Sequence, residues 1–180
     1  SLGVTIVADN AVAESRCGEL TLPESPLSAI LEAMLQSARV PPGAFQVESN
    51  DEYILIRSSQ NQPPAKVCLN EADLRPEEQA FLDRRVNVML PEGSGNNAPA
   101  FYPSPTNLGR VLGTLSRQLG VPVTAETKMH AIPVNPCAFT DVRIATALEL
   151  IIRQWPIPEF GYEVRDGAIH LRRANATAIR

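Results

Sequence analysis

Leu2-Gly3-Val4-Thr5-Ile6-Val7-Ala8 returns as Leu119-Gly120-Val121-Pro122-Val123-Thr124-Ala125, and this recurrence decides the fold. Carried outward at the same spacing of 117, residues 2–47 run against residues 119–164 without a gap. Leu31-Glu32 meets Leu148-Glu149, and Pro41 and Val47 meet Pro158 and Val164, which brings the identities to eight. Ile6 with Val123, Asp9 with Glu126, Glu24 with Asp141 and Phe45 with Tyr162 keep the polarity in step between them. Beyond Val47 the spacing becomes 115, where Ile54 meets Ile169 and Arg57 meets Arg172, so two extra residues are expected in a hairpin turn. The chain is expected to carry one small αβ module twice.

The second stretch gives the element order. Val86, Val88 and Leu90 alternate with Asn87 and Met89, which predicts a strand over 85–90. After the Pro-, Gly- and Asn-rich loop 91–105, Thr106 or Asn107 can cap a helix over 107–118, whose Leu108, Val111, Leu112 and Leu115 recur at helical spacing up to Gly120. Val121, Val123 and Ala125 alternate as a second strand; Ile132–Phe139, with its prolines, reads as a third, at an edge or a bulge. Asp141 stands where an N-cap belongs, ahead of an apolar stripe of Ile144, Ala147, Leu148, Ile151 and Ile152 that predicts a helix over 142–154, ended by Pro156 and Pro158. Asp166-Gly167 between two alternating runs announces a closing hairpin. The fold class is therefore α+β, with module order β-α-β-β-α-β-β.

The first copy has only the last five of these elements. Its strands are expected at Leu2–Ala8, Leu20–Leu22, Phe45–Val47 and Tyr53–Arg57, and its helix at Leu27–Leu35. The initial strand and helix are missing, so the natural protein is expected to continue upstream, and an uncovered edge and helix-docking face call for another element or another chain. A homo-oligomer is one candidate cover. The domain reading is a truncated module at 1–58, a linker at 59–84 with a short helix beginning at Pro76, a complete module at 85–174 and a tail at 175–180.

Composition removes several function classes. Sixteen basic against twenty acidic side chains give a net charge of −4 with no Lys or Arg cluster, which argues against a nucleic-acid partner. Apolar runs such as Ala147–Ile152 are far below the roughly 20 residues that span a bilayer, and no signal-peptide pattern stands at Ser1. Cys17, Cys68 and Cys137 are too widely spaced for a CxxC metal site and are read as inert thiols, with one disulfide left open. His130 and His170 lack metal-spaced companions and are read as surface side chains. Neither Cys17 nor Cys137 has an adjacent base, there is no Gly-x-Ser-x-Gly elbow, and Gly93-Ser94-Gly95 lacks the Lys-Ser or Lys-Thr of a phosphate loop. No catalytic, cofactor-binding or metal residues are assigned.

The run Leu108-Gly109-Arg110-Val111-Leu112-Gly113-Thr114-Leu115-Ser116-Arg117-Gln118-Leu119-Gly120-Val121, followed by Asp141-Val142, the helix Thr146–Gln154 and the hairpin Tyr162–Arg172, resembles the short N-terminal module shared by secretins and TonB-dependent receptors. The resemblance covers residues 85–172 fairly fully and 2–57 in part. It implies an αβ sandwich of the periplasm or cell envelope that works by protein contacts and has no catalytic residues to carry over.

The candidate contact residues are Trp155, read as a core plug against the hairpin or an interface anchor, and the hairpin positions Tyr162, Val164, Ile169 and Leu171, whose strand edge can accept a partner strand. Glu77-Glu78 and Arg84-Arg85 are read as solvated faces of the linker helix. The leading expectation is a non-enzymatic interaction module with an unidentified protein partner. The alternatives are a small-ligand or peptidoglycan-binding domain, with its groove between the copies, and a spacer in a longer array.

Overall fold

The computed structural model describes residues 5–13, 23–38, 41, 43–62, 64, 66–90, 106–155 and 157–174. The alternating runs become strands and the periodic runs helices, in the order β1 (Thr5–Ala8), α1 (Asn10–Ala13), α2 (Leu27–Ser37), β2 (Phe45–Ser49), β3 (Tyr53–Ser58), α3 (Pro76–Leu82), β4 (Arg85–Leu90), β5 (Thr106–Asn107), α4 (Leu108–Leu119), β6 (Val123–Ala125), β7 (Pro133–Val134), β8 (Cys137–Arg143), α5 (Ile144–Ile152), β9 (Phe160–Arg165) and β10 (Ala168–Arg173). Short 3-10 turns stand at Glu71–Asp73 and Thr127–Met129. The class is α+β, with helices among small sheets. The expected strand at Leu20–Leu22 and the loop 91–105 lie outside the described residues.

Two three-stranded sheets have the orders β1-β3-β2 and β6-β10-β9. In each, the last strand of the hairpin lies centrally, parallel to the first strand and antiparallel to its hairpin partner. Ile6 stands opposite Ile54, and Val123 opposite Ile169, so the parallel registers agree at the spacings read from the sequence. Two smaller antiparallel pairs, β4 with β8 and β5 with β7, complete the described sheets.

The hairpins correct the expected place of the two extra residues. Asn50 donates its N–H to Tyr53 O at 3.0 Å around a two-residue turn, Asp51-Glu52, and the second hairpin closes on the two-residue turn Asp166-Gly167. Both hairpins therefore match at a spacing of 115 along their whole length: Phe45 with Phe160, Glu48 with Glu163, Asp51 with Asp166. The extra residues sit before β2, in the connection from α2, and not in the hairpin turn.

The helices are buried unequally. Asn107 caps α4, its side-chain oxygen accepting from Arg110 N at 3.0 Å, and Leu108, Val111, Leu115 and Leu119 bury one stripe beside β4 and β6. In α5 the stripe Ile144, Ala147, Leu148 and Ile151 is buried, and so are Thr146 and Leu150, so this helix is covered on a second side. In α2 only Leu31 is buried; it packs with Val12, Ile54 and Ile56. The alternation of β3 splits its side chains between two clusters: Ile54 and Ile56 face α2, while Tyr53 and Leu55 join Val7 in the large core that holds α4 and α5.

Three further readings are corrected. The stretch Ile132–Phe139 is two strands, β7 and the longer β8, which runs on to Arg143. Asp141 is no N-cap: it lies within β8 at φ 55°, its N–H bonded to Asn87 Oδ1 at 2.9 Å, and α5 begins two residues after Val142. Glu78 is not a solvated side chain, because its carboxylate accepts from the Arg75 N–H at 3.0 Å and guanidinium at 2.7 Å at the start of α3.

Candidate interaction surface

The five candidate contact residues are buried in the chain's own core: Trp155, Tyr162, Val164, Ile169 and Leu171 are each no more than 3% exposed. Trp155 is a core plug. Its indole N–H donates to Pro133 O at 2.8 Å and its ring meets Phe160 edge-on, with centroids 5.9 Å apart.

The outer edge of β9 is already occupied. Tyr162 N donates to Val67 O and Leu69 N to Tyr162 O, both at 2.8 Å, so the segment read as linker adds its own main chain beside Tyr162. Asn70 continues the ladder with its amide, donating to Val164 O at 2.8 Å and accepting from Val164 N at 3.1 Å. Gly161 permits the approach, since a Cβ there would meet Val67 O and the Leu69 side chain. This segment is an integral part of the second half, and the edge it covers was the expected site for a partner strand.

Sequence reasoning missed the junction between the halves. Glu52, in the first hairpin turn, accepts from Arg143 Nε at 3.0 Å and Nη2 at 3.0 Å and from Thr146 Oγ1 at 2.6 Å, and it lies 3.6 Å from Arg85 Nη2. The Arg143 hydrogen bonds hold its carboxyl below the ordinary carboxylate range. At the other end of α5, Arg153 Nη1 donates to Glu48 at 2.8 Å. Burial works against the Glu48 charge, but the bonds and charges of Arg57 and Arg153 win, and its pKa is lowered. The hairpin β2–β3 is thus clamped to α5 at both ends of the helix. The charge pattern alone could not reveal this, because Glu52 and Arg143 lie far apart in sequence.

Beside this junction lies a cavity of about 260 Å³, lined by Lys66, Val67, Cys68, Glu71, Ala145, Glu149, Arg153 and Tyr162. Burial raises the Cys68 thiol and the Tyr162 phenol above their usual ranges, so both stay protonated and unreactive at neutral pH. Cys137, on β8, is pushed up to about 12 by burial. Both are free thiols; Cys17 lies outside the described residues. His170 Nδ1 is 2.7 Å from Thr124 Oγ1, and His130 Nε2 is 3.3 Å from Ala125 O, so each imidazole is held by a local neighbour. Among the described residues, no group of three His, Cys, Asp or Glu side chains is placed to hold a metal, and no helix is long and apolar enough to cross a membrane.

The exposed large apolar side chains among the described residues are Ile6, Met34 and Val47, all in the first half. Ile6 and Val47 stand on the sheet face that α2 partly covers, and Met34 stands on α2. Comparison of the chain with models of known families, with characterised proteins and with solved structures finds no match.

Proposed function

We propose that this chain is a non-enzymatic protein-interaction unit of a bacterial cell-envelope protein, working in the periplasm. It is built of two modules like the short N-terminal module of secretins and TonB-dependent receptors. The observation that carries the reading is the correspondence of the two three-stranded sheets in order, sense and parallel register, down to the cross-strand ion pairs Glu48–Arg57 and Glu163–Arg172. The junction supports it too. Its charged groups pair with one another across the two halves, as suits a scaffold, and the exposed apolar side chains offer a contact surface. The test passes envelope extract over the immobilised chain and maps contacts by cross-linking. A specific protein cross-linked to the first half is expected; no retained protein, together with turnover of a small substrate, overturns the reading.

The cavity beside α5 favours a second reading, a small-ligand or cell-wall-fragment site. A thermal-shift screen against muropeptides checks it, because a ligand that binds only the native state raises Tm. An unchanged Tm at millimolar muropeptide removes this alternative.

A further inference from the structure

We infer that the cavity between α5 and the segment 66–71 binds a small zwitterion of the class of a free dipeptide, its carboxylate at the Arg153 end and its ammonium at Glu71. The inference rests on the ligand-site reading above and names the ligand's chemistry. One wall is a row on α5: Ala145, Glu149 and its C-cap Arg153 recur every four residues and so lie along one side of the helix. The facing wall is the stretch from Lys66 to Glu71, which runs parallel to β9, and Tyr162 of β9 lines the space between them. The small side chain of Ala145 leaves room that a longer one in the row would fill.

The charges are ordered along the cavity. Arg153 stands at the start of β9, because Trp155, two residues on, packs against Phe160. The Lys66 backbone stands at that end too, next to Val67, whose carbonyl accepts from Tyr162 N. Glu71 lies toward the other end, next to Asn70, which bonds Val164. The two cations and two anions of the lining cancel, so a ligand of one charge sign would leave half of them unmet, whereas a zwitterion laid along the cavity meets both. A single amino acid carries its two charges on one carbon and cannot reach both ends; a dipeptide separates them.

The present pairs leave room for exchange. Lys66 reaches along the cavity to Glu71 at 3.6 Å, but the two side chains are 52% and 66% exposed, so this pair is cheap to separate. Its ammonium marks the place a ligand ammonium would take beside Glu71. Arg153 is held by Glu48 at 2.8 Å, while its Nε–H, out of water and 3.2 Å from Glu149, makes no hydrogen bond. A carboxylate at that end gives the guanidinium a further acceptor.

The test titrates the intact, methyl-labelled chain with alanylalanine, its N-acetylated form and its C-terminal amide. Saturable shifts at the Val67 and Ala145 methyls are expected with the free dipeptide, and binding at least tenfold weaker with either blocked form. Glu71→Gln, at an exposed position, should weaken the dipeptide and the amide but leave the acetylated form unchanged. Equal binding of all three peptides overturns the inference, as does a dipeptide affinity unmoved in Glu71→Gln. Ala145→Leu should abolish binding by filling the cavity, and undiminished binding there places the ligand elsewhere and also overturns it. N-acetylglucosamine separates the two failures: if this neutral sugar shifts the same methyls and the dipeptide does not, the zwitterion falls and the ligand-site reading stands; if neither shifts them, both fall.

Discussion

Asp9 has its carboxylate out of water and three neutral donors upon it: Oδ1 accepts from Val12 N at 2.8 Å, and Oδ2 from Ser58 N at 2.7 Å and Asn61 Nδ2 at 2.6 Å. One side chain thus caps α1 and fixes the end of β3. Asp9→Ala leaves those donors buried without an acceptor and is expected to cost about 2–4 kcal/mol, while Asp9→Asn, which keeps one acceptor oxygen, costs less. Urea midpoints of the two variants check this, and equal midpoints for Ala and wild type would refute the account. Glu52 makes a pH prediction. Its folded pKa lies below the ordinary glutamate value, so its contribution to stability is present above that value and is lost as pH falls through the lower folded one. Because Arg143 is half-exposed, the loss in Glu52→Gln at pH 7 is expected to be about 1–2 kcal/mol. The variant should also show a shallower fall in stability between pH 7 and pH 3 than wild type. An identical pH slope in the two proteins would show that the clamp contributes nothing.

At the scale of elements, α4 and α2 should respond differently to the same truncation. Leu115 is fully buried under tight packing, and Leu115→Ala is expected to cost about 3–4 kcal/mol, whereas Leu31→Ala, in a helix open on one side, is expected to cost about 2 kcal/mol because its neighbours can close in. Denaturant unfolding of both variants decides it, and equal losses would mean that α2 is packed as firmly as α4. Helices and strands were legible because apolar side chains recur at 3.6 or at 2, and the Asn107 cap because it precedes such a run. The edge pairing of Val67 and Leu69 was not legible, because main-chain hydrogen bonds leave no side-chain pattern. The place of the two extra residues was readable in Phe45 with Phe160 and Glu48 with Glu163, but the match of Val47 with Val164 masked it. The alternation at Tyr162, Val164, Ile169 and Leu171 announced apolar side chains and could not say that the chain itself would cover them. The Glu52 and Glu48 clamps, the one part of the candidate surface built from charge, depend on tertiary contacts that no local spacing encodes.

The whole molecule is tied together through β3 and α5, which decides how it should unfold. Leu55 on β3 belongs to the same core as Leu150 on α5, and the two glutamate clamps pin the first hairpin to both ends of that helix. If the halves were independent, loss of the first would leave Leu150 and Thr146 facing water but would leave the second half's own cluster intact. Because Thr146 bonds Glu52 across the junction and the fully buried Leu150 shares a core with Leu55, loss of the first half costs the second apolar burial, up to about 1.5–3 kcal/mol for Leu150 alone. The chain should therefore unfold in one transition. The single tryptophan, Trp155, reports the second half, and the methyl resonances of Ile54 and Ile56 report the first. Their urea midpoints are expected to coincide in wild type and to move together in Leu55→Ala, by the equivalent of about 2–4 kcal/mol. A first-half transition at clearly lower urea, with the Trp155 midpoint unmoved by Leu55→Ala, would show that the shared core carries no coupling and that the halves are separate folding units.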